Sequence, residues 1–342
     1  MRSTVIDEMS GSEAPFLLML APMAGVTDLP FRRLARMCGA DVTVTEFTSS
    51  AALSRDVARS WAKMATHPDE VPFIPQIFGG DLNEMVATVR ALAPRADLID
   101  LNFGCPAPKV ARICAGAALM GEPDLLVAIV RACVDASDVP ITAKLRTGVR
   151  QDARNIVELS QRLEDAGVVR LCVHGRTLAQ RYRGEADWSL IKDVVQAVTI
   201  PVIANGDVVD AATAIACLDA TGAAGLMVGR GAIGRPMIFA EIKQGLGLMS
   251  PEEVPWHNDL PGLEELSPQT RAFRIRRWCW EQYMRLARES GGLEASHVVR
   301  HAVAFTKGLP GAKSVRSDLH RMSTAHDLAT SVLGFLSEAT SE

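Results

Sequence analysis

The chain has 342 residues, 48% of them hydrophobic and 22% charged, enough apolar side chain for one large core and a smaller second one. Its net charge of −4 excludes a simple polycation, so any contact with nucleic acid must be a local patch. The seven cysteines are scattered, odd in number and without a Cys-x-x-Cys pair, which argues against a disulfide framework or zinc cluster, predicts no metal site and points to the cytoplasm.

Residues 1–14 lack the uninterrupted apolar stretch of a secretion signal and are expected to form a loose tail. No later apolar run is long enough to span a bilayer, so no membrane partner is expected. Eight short apolar segments then recur, at 17–23, 42–47, 73–78, 96–101, 140–145, 169–173, 201–204 and 225–228. Helical patterns alternate with them, for example at 81–93, 123–136, 153–166, 188–197 and 211–220. Near-continuous apolar strands alternating with helices predict a parallel sheet covered on its outside. Eight such units over residues 15–247 match an α/β (β/α)8 TIM barrel, whose usual length is about 250 residues. A doubly wound open sheet is the competing fold. Its Gly-x-Gly-x-x-Gly fingerprint is missing, because the first strand runs into Ala21-Pro22-Met23-Ala24-Gly25.

Residues 248–268 hold four prolines and several acids and read as a linker. Residues 269–342 show only helical periodicity and predict a C-terminal all-helical domain. Its first helix covers 272–289, and two or three more follow, interrupted at Lys307-Gly308-Leu309-Pro310-Gly311. Between 270 and 325, eleven Lys and Arg stand against four Asp and Glu, a net of +7, which predicts an anionic partner for this part of the chain. Trp278 and Trp280 could stack bases there; core packing is the favoured reading.

In such a barrel the active site forms at the C-terminal strand ends. In chain order these ends deliver Pro22, Met23 and Ala24; Glu46; Gln76; Asn102 and Cys105; Lys144 and Arg146; His174 and Arg176; Asn205-Gly206-Asp207; and Gly229-Arg230-Gly231. Polar residues at nearly every end predict a ligand-filled mouth. The last two clusters open helices, so their free N–H groups, with Arg230, predict a phosphate site. Lys144 lies on an apolar strand and must be paired or serve a ligand. A flavin, whose reduced ring carries negative charge, suits it; the alternative is a salt bridge to Glu46. Gln76 and the backbone around Met23 could bond the same ring edge. Cys105 sits in a Gly-Cys-Pro turn just past a strand. A nucleophile, a general acid and a simple turn residue all remain open for it, though an ordinary thiol pKa of about 8.5 suits an acid. His174 is the one candidate base, or a cofactor contact. Cys114 reads as incidental.

These residues also form ordered motifs: Ala21-Pro22-Met23-Ala24-Gly25-Val26-Thr27-Asp28, Asn102-x-Gly104-Cys105-Pro106, Lys144-x-Arg146, His174-Gly175-Arg176-Thr177, Ala186-Asp187-Trp188, Asn205-Gly206-Asp207 and Gly229-Arg230-Gly231. In them the chain resembles the flavin-dependent tRNA-dihydrouridine synthases, nearest to their bacterial B-type branch. Phe47 and Pro108 depart slightly from that branch, and Pro108 is expected to stiffen the loop carrying Cys105. The resemblance implies an FMN-bound barrel and a helical domain that grips the D-arm of tRNA, in a monomeric cytoplasmic protein. It implies reduction of the C5=C6 bond of a D-loop uridine (uridine 17 for a B-type enzyme), with NADPH or NADH as reductant. Hydride would pass from flavin N5 to C6, and Cys105 would give C5 its proton. The implied FMN contacts are Pro22, Met23, Ala24, Gln76, Lys144, Asn205, Gly206, Asp207, Gly229 and Arg230, with His174 a further candidate for the flavin edge or the substrate. Asn102, Arg146 and Arg176 would bind the substrate. The alternative is a dihydropyrimidine or dihydroorotate dehydrogenase-like flavoenzyme acting on a small molecule, which has no need of a basic tail.

Overall fold

A computed structural model describes residues 16–338, apart from the side chains of Lys109 and Glu338; the expected tail at 1–14 lies outside the described residues. Eleven strands form: β1 Leu17–Leu20, β2 Val42–Thr43, β3 Thr48–Ser49, β4 Gln76–Phe78, β5 Ile99–Phe103, β6 Ile141–Arg146, β7 Gly148–Arg150, β8 Ala153–Arg154, β9 Arg170–His174, β10 Val202–Asn205 and β11 Gly225–Val228. Nine of them make one parallel sheet in the order β2-β1-β11-β10-β9-β6-β5-β4-β3. Of its two ends, β2 falls within the segment expected at 42–47, and β3 lies just past it. The chain leaves the ladder of β1 after Thr43 and joins that of β4 at Thr48, while the Thr45 amide donates to the Ile74 carbonyl at 3.1 Å. The ring therefore closes into the expected barrel. The remaining pair, β7 and β8, is a small antiparallel hairpin, so the helix expected from 153 starts only at Ile156.

Alternation along each strand decides which side chains enter the barrel. Leu17, Met19, Val42, Ile74, Leu98, Cys172, Ile203 and Met227 form one apolar cluster, the barrel interior. Leu18, Leu20, Ile99, Leu101, Phe103, Ile141, Ala143, Leu171 and Val173 belong to the outer cluster against the helices. Polar residues of inward parity follow from this: Asp100 and Asn102 on β5, Thr142, Lys144 and Arg146 on β6, Arg170 and His174 on β9, Asn205 on β10. Register then puts Arg146, His174, Asn205 and Met227 side by side at the C-terminal rim. Four covering helices begin on aspartates that accept the N–H three residues on, namely Asp28, Asp81, Asp187 and Asp210. Each such cap is worth about 1 kcal/mol.

Past the barrel come helices Pro268–Glu289, Ala295–Thr306, Ala312–Leu319 and Ala325–Glu338. The first is capped by Ser267, with proline at its first turn. The Lys307–Gly311 stretch separates the second from the third, as expected. Trp280 is fully buried against Tyr283 and Phe305, with ring centroids 5.6 and 5.3 Å away. Trp278 packs edge-on against Trp256 and donates its indole N–H to Asp259 at 2.7 Å. Both indoles are core, and residues 248–268 contribute buried Val254, Trp256 and Leu263 to that packing.

The helical region docks on barrel helix Leu29–Met37. One oxygen of Asp28 caps that helix; the other accepts the Tyr283 hydroxyl and faces His301 Nε2, each at 3.0 Å. Arg33 reaches Glu289 at 3.2 Å. Gly234 has φ +69°, and a Cβ there would lie 2.2 Å from the Ala304 carbonyl oxygen, so only glycine allows this approach.

Candidate active site at the barrel mouth

A cavity of about 1240 Å³ opens at the C-terminal strand ends, walled by the barrel and by Arg276, Ala304, Lys307 and Gly308 of the helical region. Of the residues expected to form a site, Pro22, Met23, Ala24, Asn102, Cys105, Lys144, Arg146, His174, Asn205, Gly206, Asp207, Gly229 and Arg230 line it. Gln76 and Arg176 do not.

Gln76 is wholly buried beneath the cavity. Its Nε2 donates to Asp100 at 2.6 Å and its Oε1 accepts from Asn102 Nδ2 at 2.7 Å. Both ends of the amide are therefore occupied by the protein. The chain of bonds continues upward: Asn102 Oδ1 accepts the N–H groups of Gly104 and Cys105, at 3.0 and 2.9 Å. This fixes the turn that aims Cys105. Cys105 is 6% exposed, and burial pushes its thiol pKa up against the opposing pull of the Ala107 amide, Arg146 and Lys144. A protonated thiol is thus held on the cavity wall, the state a proton donor needs and a thiolate nucleophile lacks. Cys114 is exposed and lies off that wall.

Lys144 Nζ donates to Asn205 Oδ1 at 3.0 Å, and Asn205 Nδ2 donates to the Met227 carbonyl at 2.7 Å. The salt bridge to Glu46 does not form. Glu46 instead accepts the Gly25 amide at 2.8 Å and faces Lys63 at 3.7 Å. Burial pulls the Lys144 pKa down. An ammonium buried without a bonded carboxylate is costly, and an anionic ligand in the cavity would offset that cost. His174 is driven well below the ordinary histidine value by burial, then by Lys144, Arg146, Arg176 and Arg230, so it is neutral.

Arg146 is buried, yet it works chiefly on the backbone. Nε donates to the Gly104 carbonyl at 2.7 Å, and Nη1 to those of Thr177 and Arg181 at 3.1 and 2.8 Å. Arg176 does not line the cavity. It holds the carbonyls of Arg183 and Gly184 and pairs with Asp207 at 2.8 Å. Its partners are thus two loop carbonyls and the carboxylate of Asp207, which itself lines the cavity, in place of the direct contact with substrate expected for it.

Asp207 at φ +60° follows Gly206 at φ +122°. A Cβ on Gly206 would meet Ala186 Cβ at 2.8 Å and His174 Cδ2 at 3.0 Å, while its carbonyl accepts the Trp188 indole N–H at 3.1 Å. Burial raises the Asp207 pKa, but Arg176, the Ala186 amide and Arg230 outweigh it and keep the carboxylate charged. Together with Gly229 and Arg230, this cradle offers backbone room and a cation to a phosphate group. The donor set fits a flavin mononucleotide: a phosphate-sized cradle at one end and a buried ammonium, Asn205 and the Met23 segment at the other.

Sequence reasoning missed Tyr182. Its ring is 51% exposed at the cavity wall, with the Arg146 and Arg230 guanidiniums 5.6 and 5.0 Å from its centroid and the His174 ring at 6.4 Å. Only its place six residues after Arg176 hinted at the rim. In the sequence Arg276 and Lys307 are legible only as part of the general basic charge of the helical region.

The fold and site define a (β/α)8-barrel enzyme whose rim combines an anion cradle, a buried lysine and a protonated thiol. The profile of the dihydrouridine synthase (Dus) family matches residues 19–340, and the chain belongs to that family. It is 38% identical over 323 residues to tRNA-dihydrouridine synthase B of Pseudomonas syringae pv. tomato, covering 94% of this chain and 91% of that protein. It is 49% identical over 232 residues to the protein of the same name from Serratia marcescens, covering 67% and 69%, and 47% identical over 232 residues to that of Escherichia coli (strain K12), covering 67% and 72%. These likenesses place it with the B-type branch, among flavin-dependent oxidoreductases.

Proposed function

We propose that this chain reduces the C5=C6 bond of a D-loop uridine in tRNA, uridine 17 on the B-type reading, with FMN as its flavin and NADPH as reductant. The observation that carries the reading is the pairing, within one cavity, of a neutral buried thiol and a buried ammonium that bonds no carboxylate among the described residues. The bound flavin, once reduced, supplies the hydride. Everything else falls to the protein. Lys144 and Asn205 hold the electron-rich ring edge. Gly206, Gly229 and Arg230 hold the phosphate. Asn102 aims the Cys105 turn, and Cys105 protonates C5. Neutral His174 and the Arg146 Nη2 nitrogen, which takes none of the carbonyl bonds, face the uracil carbonyls, where negative charge develops.

The target uridine must leave the tRNA fold to reach this depth, as in other base-modifying enzymes. Exposed Lys307 and the wall residue Arg276 would meet its phosphates, giving salt-sensitive binding with little base information. A small-molecule dehydrogenase has no use for that wall. We place the protein in the cytoplasm and treat it as a monomer. The test is to incubate purified protein with unmodified tRNA and NADPH, then digest the tRNA and weigh the nucleosides. We expect a yellow protein and dihydrouridine at one D-loop position. A colourless protein, or free uracil reduced as fast as tRNA, overturns the reading.

A further inference from the structure

We propose a second RNA-backbone site on the barrel itself: the groove beside the Cys105 turn that is lined by Arg112, Arg181 and Arg183. It rests on the tRNA reading above and specifies which part of the barrel holds the strand. The groove measures about 630 Å³ and takes no residue from the helical region. Pro106, Pro108 and Arg181 belong to its wall and also to that of the active-site cavity. A strand that delivers one base into the cavity therefore has this groove as a continuous path.

All three arginines are exposed, and none has an acidic partner among the described residues. In the helical region, by comparison, Arg277 and Arg285 are paired with Glu281 and Glu289, and Arg276 donates to the Phe305 and Lys307 carbonyls. Three unpaired like charges around one groove repel each other, and an anion relieves that repulsion.

The groove is also held in shape. Buried Arg146 and Arg176 donate to the carbonyls of Thr177, Arg181, Arg183 and Gly184. Arg181 itself is pinned at φ +53°, a conformation an ordinary residue adopts only under constraint. Two arginines whose own side chains never enter the groove thus fix the loop that presents Arg181 and Arg183. A preset loop binds without an ordering cost. Adjacent guanidiniums suit phosphodiesters, which recur along a strand and accept planar paired bonds. The assigned ligands are the phosphates next to the extruded uridine.

The test uses the flavin-loaded double variant R112A/R183A. Both substitutions keep the main-chain bonds of the loop. Affinity for an unmodified tRNA transcript is measured by fluorescence anisotropy from 50 to 200 mM salt, an about fourfold span chosen because phosphate contacts show as a salt slope. We expect at least a tenfold loss of affinity at low salt and a log–log slope shallower by about 1.4–1.8, from two contacts at roughly 0.7–0.9 each. Flavin content and tRNA-free NADPH oxidation should stay at the wild-type level, and R112K/R183K should keep the wild-type slope. A slope change below about 0.5, with intact wild-type binding, overturns the groove alone. Wild-type protein that binds no tRNA overturns the function reading on which the groove rests.

Discussion

Replacing Cys105 by alanine takes away one sulfur and leaves its support standing. The bonds from the Gly104 and Cys105 amides to Asn102 are main-chain donations that alanine retains. Loss of so small a buried group costs about 1 kcal/mol of stability or less. The flavin contacts proposed above lie on other strand ends, so the protein should remain yellow. A positioned general acid contributes about 10²–10⁴ in rate, or roughly 3–5 kcal/mol of barrier. The assay separates two half-reactions under anaerobic conditions. NADPH bleaching of the flavin should proceed as in wild type, while reoxidation by tRNA should slow by that factor. The pH profile gives an independent sign. The working form is the neutral thiol, and burial raises its pKa, so the wild-type tRNA step should hold steady through neutral pH. It should decline only at a pH above the ordinary thiol range. C105A should lack that decline. A tRNA step within about threefold of wild type, or equal slowing of both half-reactions, refutes the acid role.

Three further outcomes are expected. K144M should weaken flavin binding by about 10- to 100-fold, one charge-assisted contact of roughly 1.5–3 kcal/mol, read from flavin absorbance per protein. The apoprotein should melt no lower than wild type, because a desolvated charge is gone; full flavin retention would contradict this. D28N should cost about 1–3 kcal/mol in urea unfolding, since it strips charge from the acceptor of His301 and Tyr283. Burial works to raise the Asp28 pKa, but His301, the Phe31 amide and Tyr283 hold it below the ordinary 3.8. Its stabilisation is therefore present above that value and lost as pH falls through the lower folded one, so the gap between wild type and D28N should be constant above about pH 5 and shrink below about pH 4. Y182A should raise KM for tRNA by about 5- to 100-fold, a stacking loss of roughly 1–3 kcal/mol, with flavin content unchanged; an unaltered KM would exclude the ring from the strand's path.

Much of this molecule was legible along the chain. Side chains alternate with period two on a strand, so an apolar outward face such as Ile141, Ala143 and Leu145 leaves Thr142, Lys144 and Arg146 only the interior. The barrel, the helical tail and the strand-end cluster all follow from such local periods. What local pattern cannot settle is who satisfies whom. Gln76 and Arg176 stand at strand ends like their neighbours, yet one bridges Asp100 and Asn102 and the other clamps a loop, because the fold brings those partners within bonding distance. Lys144 meets Asn205 rather than Glu46, and Tyr182 reaches the rim only because Arg146 and Arg176 hold its loop there. The break of the second strand, the burial of Trp256 under Trp278, and the arrival of Arg276 and Lys307 at the mouth likewise depend on docking between distant segments. Period and parity are properties of neighbours in the chain. A hydrogen bond or an ion pair is a property of distance across it, and that distance exists only once the barrel has closed and the helices have packed against its rim.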